Sequence, residues 1–136
     1  MAIDLTDEMS NRLVADQYGW LTTIAKSGLP VPRLIWFHFD GSAIYLYTMP
    51  GAAKVAHIRR HPQVSLNLDS DGNGGGIVVV AGTARVDAEG VDARSDRPYW
   101  AKYSAAAEQF GMTEAMEQYS TRIRIDIEKV WGTPQG

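Results

Sequence analysis

The sequence predicts a mainly β protein, an antiparallel barrel of about six strands with helices on its outside. Apolar runs rich in Val, Ile, Trp, Phe and Tyr alternate with turns of Gly, Pro, Asp and Ser, the punctuation of a strand-rich fold. The connections between the first runs are too short for anything but hairpins, which makes those strands antiparallel. Helical spacing is confined to the start, one short stretch in mid-chain and an excursion before the last strand.

Thr6 can cap an opening helix that ends near Gln17, with Asp7 and Glu8 in its acidic first turn. Leu5, Met9 and Leu13 give it one apolar face. Trp20 to Ala25 reads as a strand, and Lys26 to Pro30 as a hairpin connection in which Gly28 supplies a positive φ. The next strand runs from about Val31 to Asp40, with Pro32 near its start marking an edge or an interrupted ladder. Leu34 and Trp36 lie on one face, Ile35, Phe37 and Phe39 on the other. A strand apolar on both faces must be covered twice, by a core and by a ligand or a second subunit. Asp40-Gly41-Ser42 turns the chain into a strand from Ile44 to Met49, where Tyr45, Tyr47 and Met49 stand opposite Ile44 and Leu46. Two such strands in succession suggest a dimer interface, although a central barrel strand has the same pattern.

Pro50-Gly51 breaks that strand, and a helix of about two turns follows from Ala52 to Arg60, ended by His61-Pro62. Val64 to Asp69 alternates as a half-buried strand, and Ser70 to Gly76 is a hairpin loop. A strand, not a helix, follows that loop, so it is not a phosphate-binding glycine loop. Ile77 to Val86 is a β-branched strand in which Gly82 marks a bulge or close packing. Asp87 to Arg97 is polar and turn-like. Pro98 to Phe110 is a helix with Tyr99, Tyr103, Ala106 and Phe110 on its apolar side, and Gly111 stops it. Thr113 can cap a short helix to about Tyr119. The last strand, Thr121 to Trp131, sets Ile123, Ile125 and Ile127 against Arg122, Arg124, Asp126 and Glu128, and Gly132 to Gly136 is a tail.

The 136 residues suffice for one domain, 1–136, with one core. A net charge of −3 and the lack of a basic stripe argue against a nucleic-acid role. With no cysteine, disulfides, thiolate metal sites and Cys nucleophiles are excluded. No apolar run approaches the roughly 20 residues of a membrane span, and the N-terminus does not read as a secretory signal, so the expected location is the cytoplasm.

The mid-chain helix carries the clearest chemical signal. A helix opening behind a strand and a Pro-Gly turn presents free N–H groups, an anion site. Lys54 sits in its first turn, where a cation opposes the helix dipole; a bound phosphate would explain it. His57, Arg59, Arg60 and His61 near the far end suit the dipole without any ligand. His57 and His61 have the spacing of a metal pair, but the glutamate of such motifs is replaced by Ile58 and no third ligand is evident. His38 could serve as a base, though a structurally satisfied histidine is the simpler reading. No nucleophile elbow or paired carboxylates stand out, which points to chemistry left to a cofactor.

Gly-Trp-Leu-Thr-Thr-Ile at 19–24, Ser-Gly-Leu-Pro at 27–30 and Phe-His-Phe-Asp-Gly at 37–41 resemble the flavin-binding split barrels related to pyridoxamine 5′-phosphate oxidase. Ala53-Lys54-Val55, the run Arg59-Arg60-His61-Pro62-Gln63-Val64, Gly82-Thr83-Ala84 and Val130-Trp131-Gly132 are similar to the actinobacterial branch that uses the deazaflavin coenzyme F-420. The resemblance spans nearly the whole chain. It implies a split β-barrel of six to seven antiparallel strands, a homodimer with two cofactor sites between subunits, and hydride transfer between the deazaflavin and a small unsaturated organic substrate. It further implies that Lys54 binds the cofactor phosphate, helped by the N–H groups of Ala53 to Val55 and less directly by Arg60. The ring system would lie along Pro32, Arg33, Leu34 and Trp36, near Thr48 and Met49. The partner would supply Gly76, Ile77, Val78 and Trp131. FMN, which also carries a phosphate and a tricyclic ring, is the alternative cofactor. FMN-using relatives commonly add Arg, Lys and Ser/Thr contacts before the helix; here Met49-Pro50-Gly51-Ala52 is apolar and small, which favours the deazaflavin. A non-catalytic, ligand-binding dimer is the reading outside enzymology.

Overall fold

A computed structural model describes residues 5–133. The elements run α1 (Asp7–Ala15), β1 (Gly19–Ile24), β2 (Pro30–Ile35), β3 (His38–Phe39), β4 (Ala43–Thr48), α2 (Ala53–Arg60), β5 (Gln63–Asn67), β6 (Val78–Ala88), α3 (Arg97–Gln109) and β7 (Thr121–Gly132). Short 3-10 turns at Ala93–Ser95 and Ala115–Gln118 flank α3. The strands form one antiparallel sheet in the order β2-β1-β5-β6-β7-β4-β3. β2 and β3 stand at opposite ends of that order, yet only Trp36 and Phe37 separate them in the chain. Two residues cannot span a flat seven-stranded sheet, so the sheet curls until its ends meet. The result is a split β-barrel.

This crossover corrects the single strand expected from Val31 to Asp40. The apolar pattern is continuous, but the backbone leaves β1 after Ile35 and joins β4 at His38. Backbone groups in the gap lose ladder partners, and α3 replaces them. The Phe37 N–H donates to the Tyr103 hydroxyl (2.8 Å), and the Phe37 carbonyl accepts from Lys102 Nζ (2.9 Å) and lies 2.7 Å from that same hydroxyl. β2 is the edge strand that Pro30 and Pro32 allow.

Side chains pointing into the barrel form the main core, among them Leu21, Phe37, Leu46, Leu66, Ile123 and Ile125. A second core lies outside it, where Tyr99, Tyr103 and Ala107 of α3 pack with Tyr47 and Met116. On the aromatic second face of β4, Tyr47 is therefore covered by α3 of the same chain, while Tyr45 lies against Arg122 and Arg124. On β2 the cover is missing: Leu34 is 51% exposed beside its cross-strand neighbour Trp20. The apolar side of α3 also differs from expectation. Tyr99, Tyr103 and Ala107 follow a spacing of four, while Phe110 is exposed. Asp96, unremarked in the sequence, caps α3 by accepting from the Tyr99 N–H. Thr113 does not cap the following turn, which is a 3-10 helix with Glu114 at its N-cap.

Gly82 sits at a register shift between β6 and β7; a Cβ there would lie 1.9 Å from the Asp126 carbonyl oxygen. The tail begins late, because Gly132 still belongs to β7 and residues from 134 onward lie outside the described part.

Candidate functional site

The site grows from the start of α2. Val55 and Ile58 anchor this helix in the barrel core, and His57 Nδ1 meets the buried Thr23 hydroxyl of β1 at 2.8 Å. Those contacts fix where its first turn points. Ala52 is the N-cap and offers no side-chain acceptor, and the first turn has no acid. The Val55 N–H donates to the Ala52 carbonyl (3.1 Å), so Val55 contributes packing, and the N–H groups of Ala53 and Lys54 are left for an anion.

Lys54 is half-buried, and its Nζ donates to the Thr48 hydroxyl at the end of β4 (3.3 Å). Burial lowers its pKa, and so does the nearby Arg33 of β2. Among the described residues neither cation has a carboxylate partner within ion-pair distance. Two cations beside an uncapped helix start form a site that a dianion would relieve. The residues present fit a phosphate group.

From this charged end a cavity of about 320 Å³ extends between β2, the end of β4 and α3 with the turn that follows it. Leu34, Ile35 and Trp36 line one side, and Tyr47 and Thr48 line the base. Tyr99, Met112, Met116 and Tyr119 close the other side. The Trp36 indole stacks on the Tyr103 ring, with centroids 4.6 Å apart and planes 7° apart. That stack holds a flat aromatic surface at the cavity edge.

Of the residues expected from sequence, Leu34, Trp36, Thr48 and Lys54 line this cavity, with Arg33 beside Lys54. Pro32 is exposed on β2 and Met49 is exposed just after β4. Arg60 is exposed six residues along α2, about 9 Å up the axis and on another side, so the chain does not bring it to Lys54. Gly76, Ile77 and Val78 line a separate cleft of about 210 Å³ against α1. Trp131 is 43% exposed, with Lys129 Nζ over its ring. Sequence reasoning missed Tyr99, Met112, Met116 and Tyr119 as cavity residues. Their only signal was an apolar side on elements whose docking place the sequence does not encode locally.

His38 lies elsewhere, in a cleft of about 410 Å³ that Tyr47 also borders. The charges there are already matched: the Tyr47 hydroxyl donates to Asp96 (2.6 Å), Arg122 pairs with Asp87 (2.9 Å), and Asp40 accepts from the Ser42 and Ala43 N–H groups. Nothing in that cleft calls for a ligand. Among the described residues no group of three or more His, Asp or Glu could hold a metal ion, and no helix is long and apolar enough to cross a membrane.

A curled antiparallel sheet of seven strands with a few helices on its outside is the split β-barrel architecture. The family model described as pyridoxamine 5′-phosphate oxidase matches residues 5–133, and the chain belongs to that family. Among solved structures, an F420 reductase is similar, with 17% identity over 93% of this chain and 98% of that one and a TM-score of 0.73. A conserved hypothetical protein from Mycobacterium tuberculosis is 23% identical over 97% of this chain and 91% of that one, with a TM-score of 0.71. A FAD-binding protein from Mesorhizobium loti is 26% identical over 93% of this chain and 90% of that one, with a TM-score of 0.63. No curated protein sequence matches the chain.

Proposed function

We propose that the protein is a homodimeric, coenzyme F-420-dependent reductase acting on a small unsaturated organic substrate. The observation that carries this is Lys54 at the uncapped start of α2, with Arg33 near it and no carboxylate partner among the described residues, opening into a cavity that is otherwise mostly apolar and aromatic. A cofactor with a phosphate and a flat ring matches that polarity. The deazaflavin supplies the hydride. The chain's own residues bind and orient: Lys54 and the Ala53 and Lys54 N–H groups hold the phosphate, and Leu34 and Trp36 border the ring and exclude water. The apolar approach Met49-Pro50-Gly51-Ala52 supports the deazaflavin over FMN, and the similarity to a structure named F420 reductase agrees with it. A second copy would cover Leu34 and Trp20 and bring its own Gly76 to Val78 and Trp131 to the ring.

FMN is the second reading, favoured by the likeness to a FAD-binding protein. Parallel titrations with coenzyme F-420 and FMN, followed by cofactor fluorescence, separate the two. Micromolar binding of the deazaflavin with much weaker FMN binding is the expected result, and the reverse preference transfers the protein to FMN chemistry. Binding of neither removes the oxidoreductase reading. Binding without turnover of a panel of conjugated carbonyl compounds leaves a cofactor-binding dimer.

A further inference from the structure

Three tyrosines of the outer core are buried, and two have their hydroxyls engaged. Tyr47 donates to Asp96, and Tyr103 is bonded to the Phe37 backbone. Tyr99 is only 1% exposed, yet its hydroxyl meets no hydrogen-bond partner among the described residues. A phenol on a buried residue with no protein partner takes its hydrogen bond from whatever occupies the space its oxygen borders. Its oxygen is not sealed in: among the described residues the one fully enclosed, unpartnered side-chain polar atom is Thr121 Oγ1. Tyr99 lines the Lys54 cavity and none of the other clefts described above. Burial, with Tyr103 and Tyr47 nearby, raises the Tyr99 pKa and keeps the hydroxyl a donor.

The surroundings narrow what it can meet. The cavity lining contains no carboxylate or amide, and Lys54 is the one cation in it. A ligand charge beyond the one that Lys54 meets would be buried without a counter-ion. Methionines adapt to varied apolar shapes, while Trp36, fixed by its stack on Tyr103, presents a flat surface. We infer that Tyr99 is the hydrogen-bond donor to the carbonyl oxygen of an uncharged, planar, conjugated substrate seated between Trp36 and the Met112–Tyr119 segment. A donor on that oxygen stabilises the negative charge that gathers there when a conjugated carbonyl is reduced. The assignment deepens the reductase reading, but the binding of such a carbonyl compound does not require the cofactor.

The test uses the full chain and menadione, a neutral bicyclic dicarbonyl, with 2-methylnaphthalene as the comparator lacking a carbonyl. Binding is followed by quenching of tryptophan fluorescence, and the carbonyl stretch of bound menadione by infrared spectroscopy. In the wild type the stretch moves to lower wavenumber. Tyr99→Phe keeps its melting temperature, loses that shift and binds menadione roughly three- to tenfold more weakly, the range for one neutral hydrogen bond. Its affinity for 2-methylnaphthalene is unchanged. An equal affinity and equal stretch in the two proteins, or no menadione binding by the wild type, overturns the assignment. Cofactor binding together with Tyr99-independent menadione binding removes this inference alone, whereas Tyr99-dependent menadione binding without F-420 or FMN binding removes the reductase reading alone.

Discussion

Lys54 and Lys102 are both half-buried cations, and their surroundings predict opposite kinds of behaviour. Lys54 faces a cavity, next to Arg33 and the start of α2, and has no carboxylate partner among the described residues. Lys54→Met is expected to weaken cofactor binding by about 1.5–3 kcal/mol, the range for a hydrogen bond to a charged group, while leaving thermal stability equal or slightly higher. Fluorescence titration and a melting curve check both halves. Lys102 faces the protein, with its Nζ on the Phe37 carbonyl and 4.2 Å from the Phe37 ring centroid. Burial lowers its pKa from 10.5 to about 8. Above that pH the folded protein has released a proton that the unfolded chain still holds. Stability contributed by this group is therefore full above 10.5, falls as pH drops through 8, and is absent below it. The wild type should gain in melting temperature relative to Lys102→Met as pH rises from 8 toward 10.5. The signal of Lys54 could be read from sequence, because a lysine in a first turn conflicts with the dipole locally. That of Lys102 could not, since its partner is the backbone of a crossover 65 residues away.

The strands were legible where one face is buried and the other is not. β5 and β7 alternate strictly, and the structure buries Val64 and Leu66, then Ile123, Ile125 and Ile127. The break between β2 and β3 was hidden because Ile35, Phe37 and Phe39 are all buried on both sides of it, so the pattern never falters. What shows the break is the hydroxyl of Tyr103. Tyr103→Phe leaves the Phe37 N–H buried without an acceptor and is expected to cost about 1–3 kcal/mol, read as a lower urea midpoint with an unchanged slope. Gly82 was marked as a bulge or close approach, and both descriptions apply. Gly82→Ala drives a methyl into the Asp126 carbonyl and is expected to destabilise the β6–β7 pairing by on the order of 3 kcal/mol, measurable by the same denaturation experiment. The far side of the cavity was illegible for a different reason. Met112, Met116 and Tyr119 belong to a loop and a short 3-10 turn, and only the packing of α3 against β4 decides that they meet Lys54.

As a whole, the chain solves internally half of a problem the sequence poses. Both β2 and β4 carry apolar groups on two faces, and α3 covers Tyr47 of β4. The outer face of β2, with Leu34 and Trp20, remains open, and that is where a second copy is proposed to sit. Leu34→Glu should then convert a particle of twice the 15.0 kDa chain into a single chain in sedimentation, with an unchanged far-ultraviolet spectrum. A wild-type protein that sediments as one chain would sink the dimer and with it the contribution of Gly76 to Val78 and Trp131.

The place of β7 has a consequence for how the protein is made. It lies between β6 and β4, and β4 has no other neighbour but β3. Without residues 121–132 the sheet is two fragments, β2-β1-β5-β6 and β4-β3, tethered by the crossover and α2. While the ribosome still holds residues 121–132, the nascent chain exposes the raw edges of β6 and β4 and the core side chains that β7 would cover. Assembly must wait until residues 121–132 have left the ribosome, and the interval before that is when this domain is most open to aggregation or to capture by a chaperone.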